Sequence, residues 1–194
     1  MPPKVKVTKE DIIKTAVDLV RAGGVQSVNS RAIAAALCCS TQPIFSNFSS
    51  MEELERSVID SAFASYLGYL QKESDSGKYP EYKAFGMAYV RFAKEEKELF
   101  KLLFMRDRSG EEITSSADAE TSAKMIMQAN GVSIETARLM HLEMWTSVHG
   151  IGTMLATSFL SLEWELISDM LTDVYQGIRI RHLSEVKRDE CNKN

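Results

Sequence analysis

The chain has 194 residues, 44% of them hydrophobic and 26% charged, with a formal net charge of −4. So much apolar content with so little net charge excludes a disordered chain, and four prolines with ten glycines exclude a collagenous or low-complexity one. The acidic balance also excludes a protein that coats nucleic acid by charge alone, but leaves room for a locally basic module on an acidic body.

Apolar residues recur at helical spacing along nearly the whole chain, and strand-like alternation is scarce. Thr8, three residues before Asp11, makes a capping box that opens the first helix. Ile12, Ile13, Ala16, Val17, Leu19 and Val20 form its apolar face, and Gly23-Gly24 supplies a left-handed exit. Asn29 is placed to cap a short second helix over 30–37, and Ser40 a third over 41–48. Pro43 falls in the first turn of that third helix, where its missing N–H costs nothing. Ser50 opens a fourth helix running to about residue 72, with Glu52 and Glu53 at its positive end. Residues 73–80 (ESDSGKYP) read as a loop by composition. Further helices are predicted at 81–95, 97–106, 116–129, 134–159 and 162–187, with breaks at 95–96, 108–111, 130–131 and around Ser161. The fold class predicted is all-α, about nine helices with three very short ones near the N-terminus and no internal repeat.

Cys38 and Cys39 are adjacent and Cys191 sits in a polar tail, a poor framework for disulfides; reduced thiols in a cytoplasmic protein are expected. The opening MPPKVKVTKE has no apolar stretch that would serve a signal peptide, and no window approaches about 18 apolar residues, so no membrane association is expected. His141, His149 and His182 lack accompanying ligands at site spacing, so no metal and no cofactor are expected. G-x-S-x-G, H-E-x-x-H, the phosphate loop and the dinucleotide fingerprint are all missing, and no catalytic role is predicted. Charge is unevenly spread. Residues 1–48 hold six basic side chains against three acidic ones, a local excess of +3, so residues 49–194 carry −7. That asymmetry suits a nucleic-acid-binding head on a solvated body.

The second and third helices, joined through Cys38-Cys39-Ser40, have the dimensions of a helix-turn-helix. Ile44, Phe45 and Phe48 are available to pack inward, leaving Thr41, Gln42, Ser46 and Asn47 to face a major groove about 12 Å wide. The run from Ile33 through Leu54 resembles the signature of TetR-family transcriptional repressors, I-A-x-x-A-G-V-S-x-G-x-L-Y-x-H-F-x-S-K-E-x-L. Ile33, Ala34, Ser40, Phe48, Ser50, Glu52 and Leu54 match, and Ile44 and Phe45 are near equivalents. Among the departures from the pattern, Cys38 stands at the turn glycine, Gln42 at another glycine, Phe45 at tyrosine, Asn47 at histidine and Met51 at lysine.

The resemblance implies a head over 1–50, a helical regulatory and dimerisation domain over 51–187 and a polar tail over 188–194. It implies a homodimeric regulator, a repressor released from a palindromic DNA operator by a small-molecule inducer. Asn29 and Arg31 would touch the DNA backbone, and Ser40, Thr41, Gln42, Pro43, Phe45 and Asn47 would face the duplex. Gln42 is expected to carry most of the direct readout, because its amide can make two hydrogen bonds to an adenine edge. Phe45 and Met51 lack the polar groups that the family's tyrosine and lysine offer to phosphates, and Lys4, Lys6 and Lys9 would compensate. Residues 145–150 (WTSVHG) are similar to a W-x-x-x-H-G pattern in one subgroup of TetR-like C-terminal domains. Trp145 and His149 then share a helix face, which reads either as a pocket wall or as a core histidine. Phe85, Tyr89, Phe92, Phe104 and Met144 are further candidates for an inducer pocket, although such residues also build ordinary cores. The last two helices would pair with their symmetry mates through Val148, Gly152, Leu155, Phe159, Ile167, Leu171, Val174 and Ile178, and inducer coupling would run through the fourth helix. Without DNA binding, the same chain would be a helical ligand-binding or scaffold protein.

Overall fold

The computed structural model describes residues 7–107 and 117–192, with side chains over 7–107 and 119–184. Among these the chain forms nine α-helices and no strand: α1 (Lys9–Gly23), α2 (Ser30–Ala36), α3 (Gln42–Asn47), α4 (Met51–Asp75), α5 (Glu81–Glu95), α6 (Lys97–Phe104), α7 (Ala117–Asn130), α8 (Ile134–Ala156) and α9 (Trp164–Asn192). One 3-10 turn, Val25–Ser27, went unpredicted. The expected break at 108–111 lies outside the described residues. Helix α8 stops at Ala156, three residues early, where Ser158 turns to φ +58°, and α9 runs on to Asn192 into the expected tail.

The caps explain most boundaries. At α1 the Asp11 amide donates to Thr8 Oγ1 (3.1 Å) and the Thr8 amide donates back to Asp11 Oδ2 (3.0 Å), the reciprocal pair of a capping box. The Ala32 amide donates to Asn29 Oδ1 at 2.9 Å to open α2, and the Thr136 amide donates to Ser133 Oγ at 3.2 Å to open α8. Helix α3 departs from expectation: Thr41, not Ser40, is its N-cap, and no side chain caps it. The reason lies in its first turn. An N-cap oxygen serves the second or third helical amide, but Pro43 has none and the Ile44 amide is taken by the Thr41 carbonyl at 3.1 Å. Gly24 ends α1 at φ +76°, and a Cβ there would meet the Gln26 side chain at 2.8 Å.

The chain forms two compact units. The first comprises residues 1–69 and 92–106. Here α1 packs on α2, α3 and α6, and Ile12, Val20, Ile33, Ile44, Leu54, Phe92 and Phe100 are fully buried. Arg21 closes its edge, its guanidinium donating to both Glu96 carboxylate oxygens at 2.9 and 3.0 Å. The second comprises residues 70–91 and 107–194. In it α8 packs against α7 and α9, and Met87, Val90, Met140, Ile151 and Ile167 are buried. Glu73, in the last turns of α4 and itself buried, accepts from Arg91 Nε at 3.0 Å, and the Arg91 guanidinium lies 4.3 Å over the Trp164 ring. Taking two charges out of water is tolerable when they pair and one stacks on an aromatic face. Among the described residues no helix is long and apolar enough to cross a membrane, and no cluster of three or more His, Cys, Asp or Glu side chains could hold a metal ion.

Candidate nucleic-acid interface

The turn between α2 and α3 is built by backbone hydrogen bonds. The Cys39 amide reaches the Ala34 carbonyl (2.9 Å) and the Cys38 amide the Ala35 carbonyl (3.1 Å), the two bonds of a Schellman motif. That motif puts its C′ residue in the left-handed region, and Cys38 is there at φ +51°. The turn therefore keeps the geometry glycine usually serves and carries an exposed thiol instead. Cys39 is also a free thiol, and the Cys191 side chain lies outside the described residues.

Helix α3 has two faces. Ile44 and Phe48, four residues apart, are 1% and 2% exposed and anchor it to the first unit. Phe45 was expected to pack with them but is 54% exposed. One residue on from Ile44 is a rotation of about 100°, which carries its ring off the buried stripe. Gln42, Phe45 and Ser46 are exposed, while Thr41, Pro43 and Asn47 are half-buried. Two of the polar groups are committed within the helix: Ser46 Oγ donates to the Gln42 carbonyl (2.9 Å) and Asn47 Nδ2 to the Pro43 carbonyl (2.7 Å). The Gln42 side chain has no such partner among the described residues.

The flanking candidates divide in the same way. Asn29 uses its side-chain oxygen to cap α2. Arg31 is exposed, with no carboxylate partner among the described residues. Ser40 is exposed in the turn. Lys4 and Lys6 lie outside the described residues. Lys9, expected to serve the duplex, is committed elsewhere: its Nζ pairs with Glu53 Oε1 at 3.0 Å and sits 4.6 Å over the Phe48 ring. Glu53 also accepts from the Ser49 amide and hydroxyl, both at 2.8 Å, and chiefly these bonds pull its pKa down to about 2. The corner between α3 and α4 is thereby tied by an ionised carboxylate.

In the second unit the Tyr89 hydroxyl lies 2.8 Å from His149 Nδ1, and the Trp145 ring stacks on His149 with centroids 5.1 Å apart and planes 12° apart. Burial pushes the His149 pKa below its ordinary value, which favours the neutral imidazole; in its Nε2–H tautomer Nδ1 accepts the tyrosine proton. One turn further along α8, Thr153 Oγ1 is buried without a hydrogen-bond partner among the described residues. Phe85 is half-buried and Met144 buried in the same unit. Phe92 and Phe104 belong to the first unit, where they meet edge-on at 6.4 Å and each packs on Tyr66. The seven pocket candidates thus divide between the units. The Tyr89–His149 pair, 60 residues apart in sequence, has no local signal that would have revealed it.

The residues expected at a subunit seam are mostly interior. Val148, Gly152, Leu155, Ile167 and Leu171 are buried in the second unit, and Ile178 packs on the Ala123–Met140 cluster. Val174 is half-buried, and Phe159 is 77% exposed. The exposed apolar surface lies instead on Leu139, Leu142, Leu160, Leu166, Met170 and Ile180.

Residues 82–174 match the model of the tetracyclin repressor-like, C-terminal domain family. A solved TetR-like transcriptional regulator from Rhodococcus sp. RHA1 superposes with a TM-score of 0.66 at 17% identity, covering 95% of this chain and 98% of that one. The chain has a TetR-like fold. The multidrug binding protein EbrR, solved in complex with imidazole, is also similar, with a TM-score of 0.57 at 14% identity over 86% of this chain and 93% of that one. No curated protein sequence matches. The TetR-like fold agrees with the all-helical architecture, and the C-terminal family match spans α5 to α8 and the start of α9.

Proposed function

We propose that this TetR-like chain is a homodimeric transcriptional regulator, a repressor that leaves a palindromic DNA operator when a small molecule binds its second unit, and that it catalyses no reaction. The observation that carries the reading is α3: a short helix anchored by Ile44 and Phe48, with Gln42 and Phe45 turned to solvent and an exposed Arg31 at the entry to α2. Such a rod fits a major groove, with one cation placed for a phosphate. The head over 1–50 would make these contacts and the domain over 51–187 would regulate them.

Dimerisation is supported by the exposed apolar residues of α8 and α9. Leu166, Met170, Gly177 and Ile180 follow one another at spacings of four, seven and three, and a Cβ on Gly177 would meet nothing within 4 Å. An exposed stripe of this kind is what a second copy buries. Inducer binding is supported by Trp145, His149, Tyr89 and the orphaned Thr153 hydroxyl, which offer an aromatic wall with polar handles. Helix α4 belongs to both units along its own length, and Glu73 fixes its end to Arg91. A ligand that favours one position of that end would change operator affinity through the helix.

The experiment is selection of bound duplexes from a random pool at moderate salt. The expected product is an inverted repeat with half-sites about one helical turn apart, binding two chains. No enrichment would leave a helical ligand-binding or scaffold protein.

A further inference from the structure

We infer that Phe45 reads sequence through apolar contact with the 5-methyl group of a thymine in the operator. The inference rests on the DNA-binding reading and adds to it the class of contact at one position. On the solvent face of α3 the Ser46 hydroxyl proton and one Asn47 amide proton are already turned back on the helix's own carbonyls. The exposed side chains of α3 not tied back in this way among the described residues are the amide of Gln42 and, one turn on, the ring of Phe45, more than half exposed. A phenyl ring has no hydroxyl for a phosphate oxygen and no donor for a base edge. In the major groove the apolar feature that distinguishes one base pair from another is the thymine methyl. A large apolar side chain held in water by a six-residue helix whose other faces are buried or polar gains from that contact and from no polar one. Residues 42 and 45 share a face, so the amide of Gln42 and the ring of Phe45 would meet neighbouring base pairs.

The test uses the duplex recovered from the random pool by the unaltered chain. Each thymine is replaced in turn by deoxyuracil, which removes the methyl and leaves pairing intact. At one thymine or more per half-site, binding should weaken about fourfold for each methyl removed, on the scale of one buried methylene. That penalty should vanish in Phe45→Ala, which binds thymine and uracil duplexes alike, and persist in Gln42→Ala. Phe45→Gln serves as a second variant, since an exposed polar residue keeps α3 soluble while also lacking an apolar ring. The inference is overturned if no uracil substitution weakens binding, or if the penalty is the same in Phe45→Ala and Phe45→Gln as in the unaltered chain. A pool without enrichment overturns the DNA-binding reading and this inference together, whereas an enriched duplex indifferent to uracil overturns the inference alone.

Discussion

Cys38 holds a left-handed conformation that costs a residue with a Cβ roughly 1–2 kcal/mol. The two Schellman bonds of the turn and the burial of Ile33 and Ile44 on either side keep it there. Cys38→Gly should therefore raise stability by about 0.5–1 kcal/mol, the relief of strain being partly offset by a freer unfolded chain. Urea unfolding at unchanged slope is the measurement; a lower midpoint would mean that the thiol makes contacts worth more than the strain. Glu53, a few residues on, stabilises its corner instead of straining it. Its pKa is depressed to about 2, so its contribution to stability is present above the ordinary carboxylate value and is lost as pH falls through about 2. At neutral pH the tie from Ser49 and Lys9 to α4 is fully formed, which is why Lys9 is not free for a phosphate.

At the scale of elements, what was legible in the sequence is what is local. The Thr8–Asp11 box, the Asn29 cap and the limits of α5 follow from side chains three or four residues apart, and each is where the pattern put it. The cap of α3 was not legible from the serine alone, because Pro43 removes an amide the cap would have served. Nor did periodicity decide which side of α8 and α9 is interior. Both helices carry apolar residues on two faces, and Val148, Ile167 and Leu171 face the core while Leu139, Leu166 and Ile180 do not. Spacing reports that a face is apolar but not what covers it. The same limit hid the link between α5 and α8 made by Tyr89 and His149. Because burial lowers the His149 pKa, protonation opposes the folded state. Stability from this link is complete above about 6.5, the ordinary histidine value, and declines as pH drops below it. His141, joined to Tyr82 and lowered by the same cause, adds to the trend. The urea midpoint should fall between pH 7.5 and 5.5, and fall less in His149→Gln; equal declines in both proteins would remove His149 from the account.

For the whole molecule, the basic excess of residues 1–48 against the acidic remainder acquires a physical reading once α2 and α3 are in place. On the proposed function, net acidity would keep the body from binding DNA indiscriminately, and a locally positive head with the exposed guanidinium of Arg31 would concentrate attraction near α3. The match of residues 82–174 to the tetracyclin repressor-like C-terminal domain family explains why the body is larger than a DNA-binding head requires. The central claim is that α3 lies in the major groove with Arg31 on a phosphate. It is tested most directly by the salt dependence of binding to the selected duplex, measured for the unaltered chain and for Arg31→Ala. Each phosphate neutralised contributes about −0.9 to the slope of log affinity against log salt. The account predicts a steep negative slope that becomes shallower by about one unit for each Arg31 removed. A slope near zero, or one that Arg31→Ala leaves unchanged, would contradict it.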